Sequence, residues 1–246
     1  MIPAATELLA PTVPWPAFAV IVPLLAGLVA FLAGGRPLVV LPAAILGFLV
    51  AFVATAQVFT HGPVEHAVGG WPPPLGIKLR LDGLAAAFLL MTGVVAGAVT
   101  AFARPVFAGS GETPGDFAFW PLLFFMWAGL NAVFVSADLF NLFVALEILT
   151  LTAVAMVALE GKADTLAAAL RYLLFALFGS LAYLLGTALL YGAHGTLDMQ
   201  LLRDATGPAT VTAVAGGLMT AGLMAKGALF PLHGWLPRAH AGAPAP

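Results

Sequence analysis

An all-α polytopic membrane protein is the fold class this sequence predicts, and three observations predict it. Hydrophobic residues make up 62% of the 246-residue chain and charged residues only 8%, whereas a water-soluble domain carries about a quarter charged residues. Seven apolar runs reach the length, about 20 residues, that crosses a bilayer as a helix. The remaining charges gather between those runs, where they meet water. A mean hydropathy of +1.06 fits the same class.

The spans are read at 14–34, 38–60, 83–103, 117–135, 139–159, 164–191 and 209–236. Ahead of the first, Met1–Pro14 holds Glu7 and no Lys or Arg. It lacks the basic start of a cleavable signal peptide, so the first run is expected to stay as a helix. Between the second and third spans, "VGGWPPPLGIKLRLD" makes a Pro-rich turn and then alternates apolar with polar residues over Ile77–Asp82. That pattern predicts a small extended or hairpin element on the membrane surface, with Asp82 just ahead of the third helix. At the fifth span, Asp138 and Asn141 stand where they cap and orient the helix entrance.

Seven crossings put the two ends on opposite sides. Arg36, Arg104, Lys162 and Arg238 then share one side, and Lys78, Arg80 and Arg203 the other. The positive-inside rule favours the first side as cytoplasmic. Net charge is −2 with no basic tract, which offers nothing to nucleic acid. Without cysteine there are no disulfides and no cysteine-ligated clusters. His61, His66, His194 and His240 lack metal-ligand spacing, so no metal site is read. Phosphate-binding loops, hydrolase triads and paired haem histidines are absent, and no cofactor is expected.

Two charges do not fit at helix ends. Glu147 lies nine residues past Asp138, roughly 13 Å along the fifth helix and near mid-membrane. Lys226 lies well inside the seventh span. A charge at the bilayer centre costs at least about 2.5–3.5 kcal/mol on insertion scales, so such residues face protein or a hydrated cavity and find partners. As a pair they have two readings: a structural tie between helices five and seven, or a proton switch. The second follows because burial lowers a lysine pKa and a nearby carboxylate raises it again.

The flanking residues bear on that choice. Gly222 and Gly227 bracket Lys226 and Pro231 follows, so the helix is expected to kink or break near Gly227 and Pro231. Transporters place broken helices of this kind around midplane ion sites. His233 carries an imidazole, a group that can take up and pass on a proton, and is a candidate relay, or a polar residue satisfied at a helix end. Arg171, about seven residues into the sixth span, either snorkels to the interface or helps set the protonation of Glu147.

With those charges placed, the sequence resembles a family. "SADLFNLFVALEILTL" is similar to the fifth helix of the antiporter-like subunits of respiratory complex I and Mrp-type cation/proton antiporters, whose functional glutamate falls at Glu147. "AKGALFPLHGWLPRAHAGAPAP" resembles their seventh-helix motif, which opens on the functional lysine at Lys226 and continues through Pro231, His233, Trp235, Leu236, Pro237 and His240. "ALRYLLFALFGSLAYLLGTALLYGAHGTLDM" and "GGWPPPLGIKLRLDGLAAAFLL" are also similar to family stretches, so the resemblance covers essentially the whole chain in order. D-type Mrp and N-type complex I subunits are the nearest types. Ala145 and Thr152–Ala153 depart from a pattern that commonly has an aromatic and small polar residues there.

The resemblance implies a fold of about fourteen helices, in which three N-terminal helices precede two inverted repeats. Residues 1–116 would supply those three helices with the surface hairpin, and 117–246 four helices of an incomplete first repeat. The eighth helix and the second repeat are expected outside this chain. The implied function is proton translocation, with cation/proton antiport as a variant, by a membrane subunit of a complex I-like or Mrp-like assembly. Glu147 and Lys226 would be its working pair, with His233, Arg171 and Asp138 as relay or tuning residues. No catalytic centre of its own is read, beyond membership of an NADH-quinone oxidoreductase-like complex. The expected partners are the lipid bilayer, other membrane subunits, protons and, in the antiport variant, sodium, in a prokaryotic plasma membrane. The alternative is a structural subunit or inactive truncated fragment whose Glu–Lys pair only fixes helix packing.

Overall fold

In the computed structural model, residues 13–107, 114–205, 207 and 209–243 are described; Glu7 and the closing Ala245–Pro246 pair lie outside them. The described residues form α1 (Trp15–Leu32), α2 (Pro37–His61), β1 (Val64–Ala67), β2 (Lys78–Leu81), α3 (Gly83–Ala103), α4 (Pro114–Val135), α5 (Leu139–Val157), α6 (Ala163–His194), α7 (Met199–Asp204), α8 (Ala209–Lys226) and α9 (Leu236–Gly242). Seven of these helices are long and apolar enough to cross a membrane: α1 to α6, and α8.

Local chemistry sets the helix starts. Proline opens α1 and α2 within their first two positions, where its missing N–H removes no helical bond. Three aspartates cap later helices by accepting backbone N–H bonds that have no intrahelical partner. Asp82 accepts from Ala85 ahead of α3 at 3.0 Å. Asp138 accepts from Phe140 and Asn141 ahead of α5, and Asp198 from Gln200 and Leu201 ahead of α7. The extended element expected near Ile77 is β2, which pairs antiparallel with β1 and puts Val64 opposite Leu81. Val64, Leu79 and Leu81 are buried, while Arg80 and Lys78 each lie 3.5 Å from Glu65 in partly exposed pairs that contribute little.

Packing divides the chain into two compact units: the main changeover lies between Ser136 and Ala137, and Trp71–Ile77, between the two strands, belongs to the second unit. This is a boundary of contacts, and it differs in kind from a repeat boundary at 116/117. The first unit holds α1–α4 with the hairpin. Its centre is aromatic: Trp120, Phe124 and Trp127 of α4 are buried. Gly27 of α1 and Gly47 of α2 admit the Phe125 and Trp127 rings; a Cβ at either glycine would meet a ring atom at 2.6 Å.

One bond in this unit follows directly from a proline. Pro23 inside α1 has no N–H to give the Ala19 carbonyl four residues back. Asn131 of α4 takes its place, donating Nδ2–H to the Ala19 oxygen at 2.7 Å.

The second unit holds α5–α9. At its edge the chain just before α5 runs antiparallel to the chain just before α7, with Leu139 N–H bonded to Leu197 O at 3.0 Å and Met199 N–H to Ala137 O at 2.9 Å. The largest departure from the expected spans is here. The seventh span, read to residue 236, ends as a helix at Lys226, and after a non-helical turn the chain forms the short α9. Hydropathy cannot show this stop, because Ala228, Leu229, Phe230 and Leu232 prolong the apolar run.

The Pro23–Asn131 account predicts a specific rescue. Asn131→Leu should destabilise the protein by about 1 kcal/mol, the scale of a membrane side-chain hydrogen bond, in equilibrium unfolding from mixed micelles. Adding Pro23→Ala, which returns an N–H to the Ala19 carbonyl, should recover most of that loss. Additive destabilisation in the double variant would contradict the account.

Candidate functional site

Helix α5 is 19 residues long, about 28 Å, and Glu147 sits near its middle. The Lys226 ammonium reaches it from the last residue of α8. Lys226 Nζ donates to Glu147 Oε1 at 2.8 Å and to Thr150 Oγ1 at 2.9 Å. Thr150 lies one turn past Glu147 on the same face and gives its own hydroxyl proton to the Leu146 carbonyl at 2.8 Å. Its lone pairs therefore stay free for the ammonium. From α6, the Ser180 hydroxyl also donates to Glu147 Oε1. The Lys226 side chain is 8% exposed and that of Glu147 24%, so the ammonium is the more deeply enclosed partner.

Close helix packing makes this reach possible. A Cβ on Gly222 of α8 would stand 2.4 Å from the Gly179 carbonyl oxygen of α6, and one on Gly179 would stand 2.7 Å from the Gly222 oxygen. Seven residues along, Gly186 faces Ala215 and Met219 in the same way. Small residues let two backbones approach, as helices in lipid require. Lys226 thereby lies against α6 and beside α5.

The end of α8 is built to stop at the lysine. Leu229 N–H returns to the Met224 carbonyl at 2.9 Å and Ala228 N–H to Ala225 at 3.4 Å. These are the paired bonds of a Schellman ending. The residue in the left-handed region is Ala228, with φ 51°, where glycine is the usual occupant. Gly227, expected at the break, lies one position earlier and has no positive φ. Trp235 then folds back: its indole Nε1–H donates to the Ala225 carbonyl at 3.1 Å, and its ring stacks on Tyr172 of α6 with centroids 4.1 Å apart. The backbone carrying Lys226 is thus held from both sides. A cation in the last turn also meets the negative end of the helix dipole, a favourable term of about 0.3–1 kcal/mol.

The other sequence candidates fall at different places. Asp138 caps α5 about 13 Å from Glu147, and the Tyr183 hydroxyl donates to the neighbouring Leu139 carbonyl at 3.3 Å. Arg171 precedes Ser180 by nine residues, two and a half turns, so it stands on the opposite face of α6. It is exposed and lines a cleft with Asp164 and Arg238. His233 is exposed, its ring 5.7 Å from that of Phe230, and Pro231 is exposed in the turn. Among the described residues no group of three His, Asp or Glu side chains is placed to hold a metal ion.

Three residues of the site were not singled out as site residues from sequence: Thr150, Ser180 and Trp235. A hydroxyl on the face of a carboxylate-bearing membrane helix was the available signal for Thr150. Ser180 carried no such signal, because most hydroxyls in apolar helices bond their own helix, as Thr187 does with Tyr183.

The hydroxyls give the pair an unusual tolerance of charge. Ser180 has one proton and two acceptors in reach, Glu147 Oε1 and the Ala176 carbonyl at 2.9 Å. Facing a carboxylate it donates to Oε1. Facing a carboxylic acid it can turn its proton to Ala176 and accept instead. Thr150 can likewise accept from an ammonium or turn and donate to a neutral amine. Both charge states of both groups therefore find partners without any movement of backbone.

Residues 136–246 match the family model described as NADH:quinone oxidoreductase/Mrp antiporter, TM. The chain is 39% identical over 212 residues to the N-type subunit of the NADH-quinone oxidoreductase of Desulforudis audaxviator, covering 84% of this chain and 42% of the relative. It is 32% identical over 206 residues to the D-type subunit of a Na(+)/H(+) antiporter of Alkalihalophilus pseudofirmus, covering 82% and 41%. Its fold matches a chain of the membrane-bound sulfane sulfur reductase, an archaeal respiratory membrane complex, with TM-score 0.85 and 31% identity over 93% of this chain and 48% of that one. The chain spans about two-fifths of the length of the curated relatives it matches.

The α6–α8 contact makes a paired prediction. Gly222→Ala should lower unfolding stability by about 1–3 kcal/mol, the usual cost of overpacking. Gly217→Ala on the same helix, with nothing within 4 Å of its added Cβ, should leave stability unchanged or slightly raised. Equal effects of the two in micelle unfolding would mean that close approach at Gly222 does not hold α8 in place.

Proposed function

We propose that this chain translocates protons as a membrane subunit of a complex I-like or Mrp-like assembly, a reading supported by the match of residues 136–246 to the family model described as NADH:quinone oxidoreductase/Mrp antiporter, TM. Glu147 and Lys226 are its switch. The observation that carries this reading is the hydrogen-bonded pair itself, flanked by two hydroxyls that suit either protonation state.

The step follows from charge and solvation. With the carboxylate on the lysine, the ammonium is neutralised and stays put. When a proton reaches Glu147, or charge arriving nearby draws the carboxylate off, the ammonium is left in an enclosed site without its counter-charge. An uncompensated charge of that kind costs several kcal/mol, and releasing the proton onward removes the cost. Ser180 and Thr150 lower the barrier by keeping each intermediate hydrogen-bonded.

His233 is exposed beyond the turn and serves, in this proposal, as a group a released proton can reach. Asp138 orients the start of α5. Arg171 acts on the pair through field alone, since α6 turns it to the opposite face. Residues 117–246 are taken as part of a repeat that three helices within 1–116 precede. The bacterial relatives support a prokaryotic plasma membrane as the location. The D-type relative is named as part of a Na(+)/H(+) antiporter, which makes sodium the counter-ion to try first.

The test is proton uptake by the full-length protein, with its partner subunits, in proteoliposomes. Lys226→Arg and Glu147→Asp keep both charges, so assembly should persist while uptake falls about 10²-fold, the scale of a lost positioned proton-transfer group. Ser180→Ala should slow uptake about tenfold, matching one lost hydrogen bond to a charged group. Wild-type uptake in the charge-preserving variants, with assembly lost only when a charge is removed, would make the pair structural.

A further inference from the structure

A second charged feature lies on the face of α6 turned away from the switch. Asp164, Ala168 and Arg171 of α6, with Arg238 and Ala241 of α9, line a cleft of about 480 Å³. On each helix these positions fall three or four residues apart, so each contributes one continuous face. The cleft's walls are set by three contacts of α6 with α9 and the residue that precedes it: Trp235 stacked on Tyr172, Ala239 packed with Ala168 and Ala169, and Gly242 against Thr165. Its two arginines are therefore brought together by packing that does not depend on either of them.

Neither Arg171 nor Arg238 forms an ion pair among the described residues. Asp164 shares the cleft but lies beyond ion-pair distance of both. Two guanidinium groups in one cleft offer forked donors to an anion.

The level of the cleft in the membrane indicates which anion. Helix α6 has 32 residues, about 48 Å, and crosses a hydrocarbon core of about 30 Å. Its stretch without an ionisable acid or base other than tyrosine, Tyr172–Ala193, is about 33 Å long and accounts for that core. Arg171 is the residue immediately before it, at the edge of the hydrocarbon where lipid phosphates lie. Arg238 of α9 lines the same cleft. Basic pockets between helices at this level hold anionic lipid headgroups.

We propose that Arg171 and Arg238 form a binding site for the phosphate headgroup of an anionic phospholipid, held at the α6–α9 junction. This stands on the membrane-spanning fold alone and does not depend on the proton switch. Through Trp235, the same junction touches the carbonyl just before Lys226, so occupancy of the cleft bears on how firmly the end of α8 is held.

The probe is short-chain phosphatidylglycerol, titrated against the delipidated full-length protein, with phosphatidylcholine and inorganic phosphate as controls. Native mass spectrometry on protein taken from mixed-lipid nanodiscs supplies a second readout. Phosphatidylglycerol should bind in preference to phosphatidylcholine. Each of Arg171→Gln and Arg238→Gln should weaken it about fivefold, the scale of one basic residue near an anionic surface, and Asp164→Asn should strengthen it. Both arginines are exposed, so the variants should fold, and the Arg171→Lys, Arg238→Lys protein should keep the preference with weaker binding, since it holds the charges but loses the forked donors. The proposal fails if the two lipids bind alike, if the double glutamine variant binds as the natural protein does, or if inorganic phosphate alone competes as well as the lipid. It also fails if cross-linking places an acidic side chain of a partner subunit on the two arginines.

Discussion

The bond from the Lys226 ammonium to Glu147 Oε1, 2.8 Å long, is the interaction around which α5, α6 and α8 are arranged. In water an ion pair of this kind contributes little, because each charge is solvated without the other. Within a membrane-spanning bundle, removing one partner leaves an uncompensated charge at a cost of about 3–5 kcal/mol. Three features bring the two charges to one point. Asp138 sets the start of α5, glycines draw α8 onto α6, and α8 ends at its lysine.

That ending departs from local preference. An alanine at positive φ and a chain that doubles back beneath its own helix are not what a plain apolar run would adopt. They are held by Trp235, which satisfies the Ala225 carbonyl and stacks on Tyr172. The result is a lysine at a helix terminus and not inside a continuous rod. The carbonyls after it are free of the helical ladder, and its ammonium meets the negative end of the dipole. A midspan lysine on an unbroken helix would have neither.

Much of this was legible in the sequence, for identifiable reasons. Apolar runs of membrane length give helix positions to within a few residues because nothing else explains them. Glu147 and Lys226 stood out since a charge within such a run must find a partner, and the resemblance of both flanking motifs pointed the same way. Hydropathy alone carries the seventh span on to residue 236, whereas Gly227 and Pro231 mark a break close to Lys226, where α8 ends. The sequence leaves Arg171 open as a neighbour of Glu147, yet counting turns from Ser180 places it on the far side of α6. Ser180 itself was invisible, since a serine bonded to its own helix and one that also serves a carboxylate look alike in one dimension.

What separates a switch from a tie is whether the pair changes charge while the protein works. Infrared difference spectroscopy on the full-length protein, reconstituted and driven by an imposed proton gradient, observes this directly through the carbonyl stretch of a protonated carboxyl group. The account predicts a band that appears and decays with transport and is missing in Glu147→Gln. Proton transport at the normal rate with no carboxyl band attributable to Glu147 would contradict it and leave the pair as a structural tie.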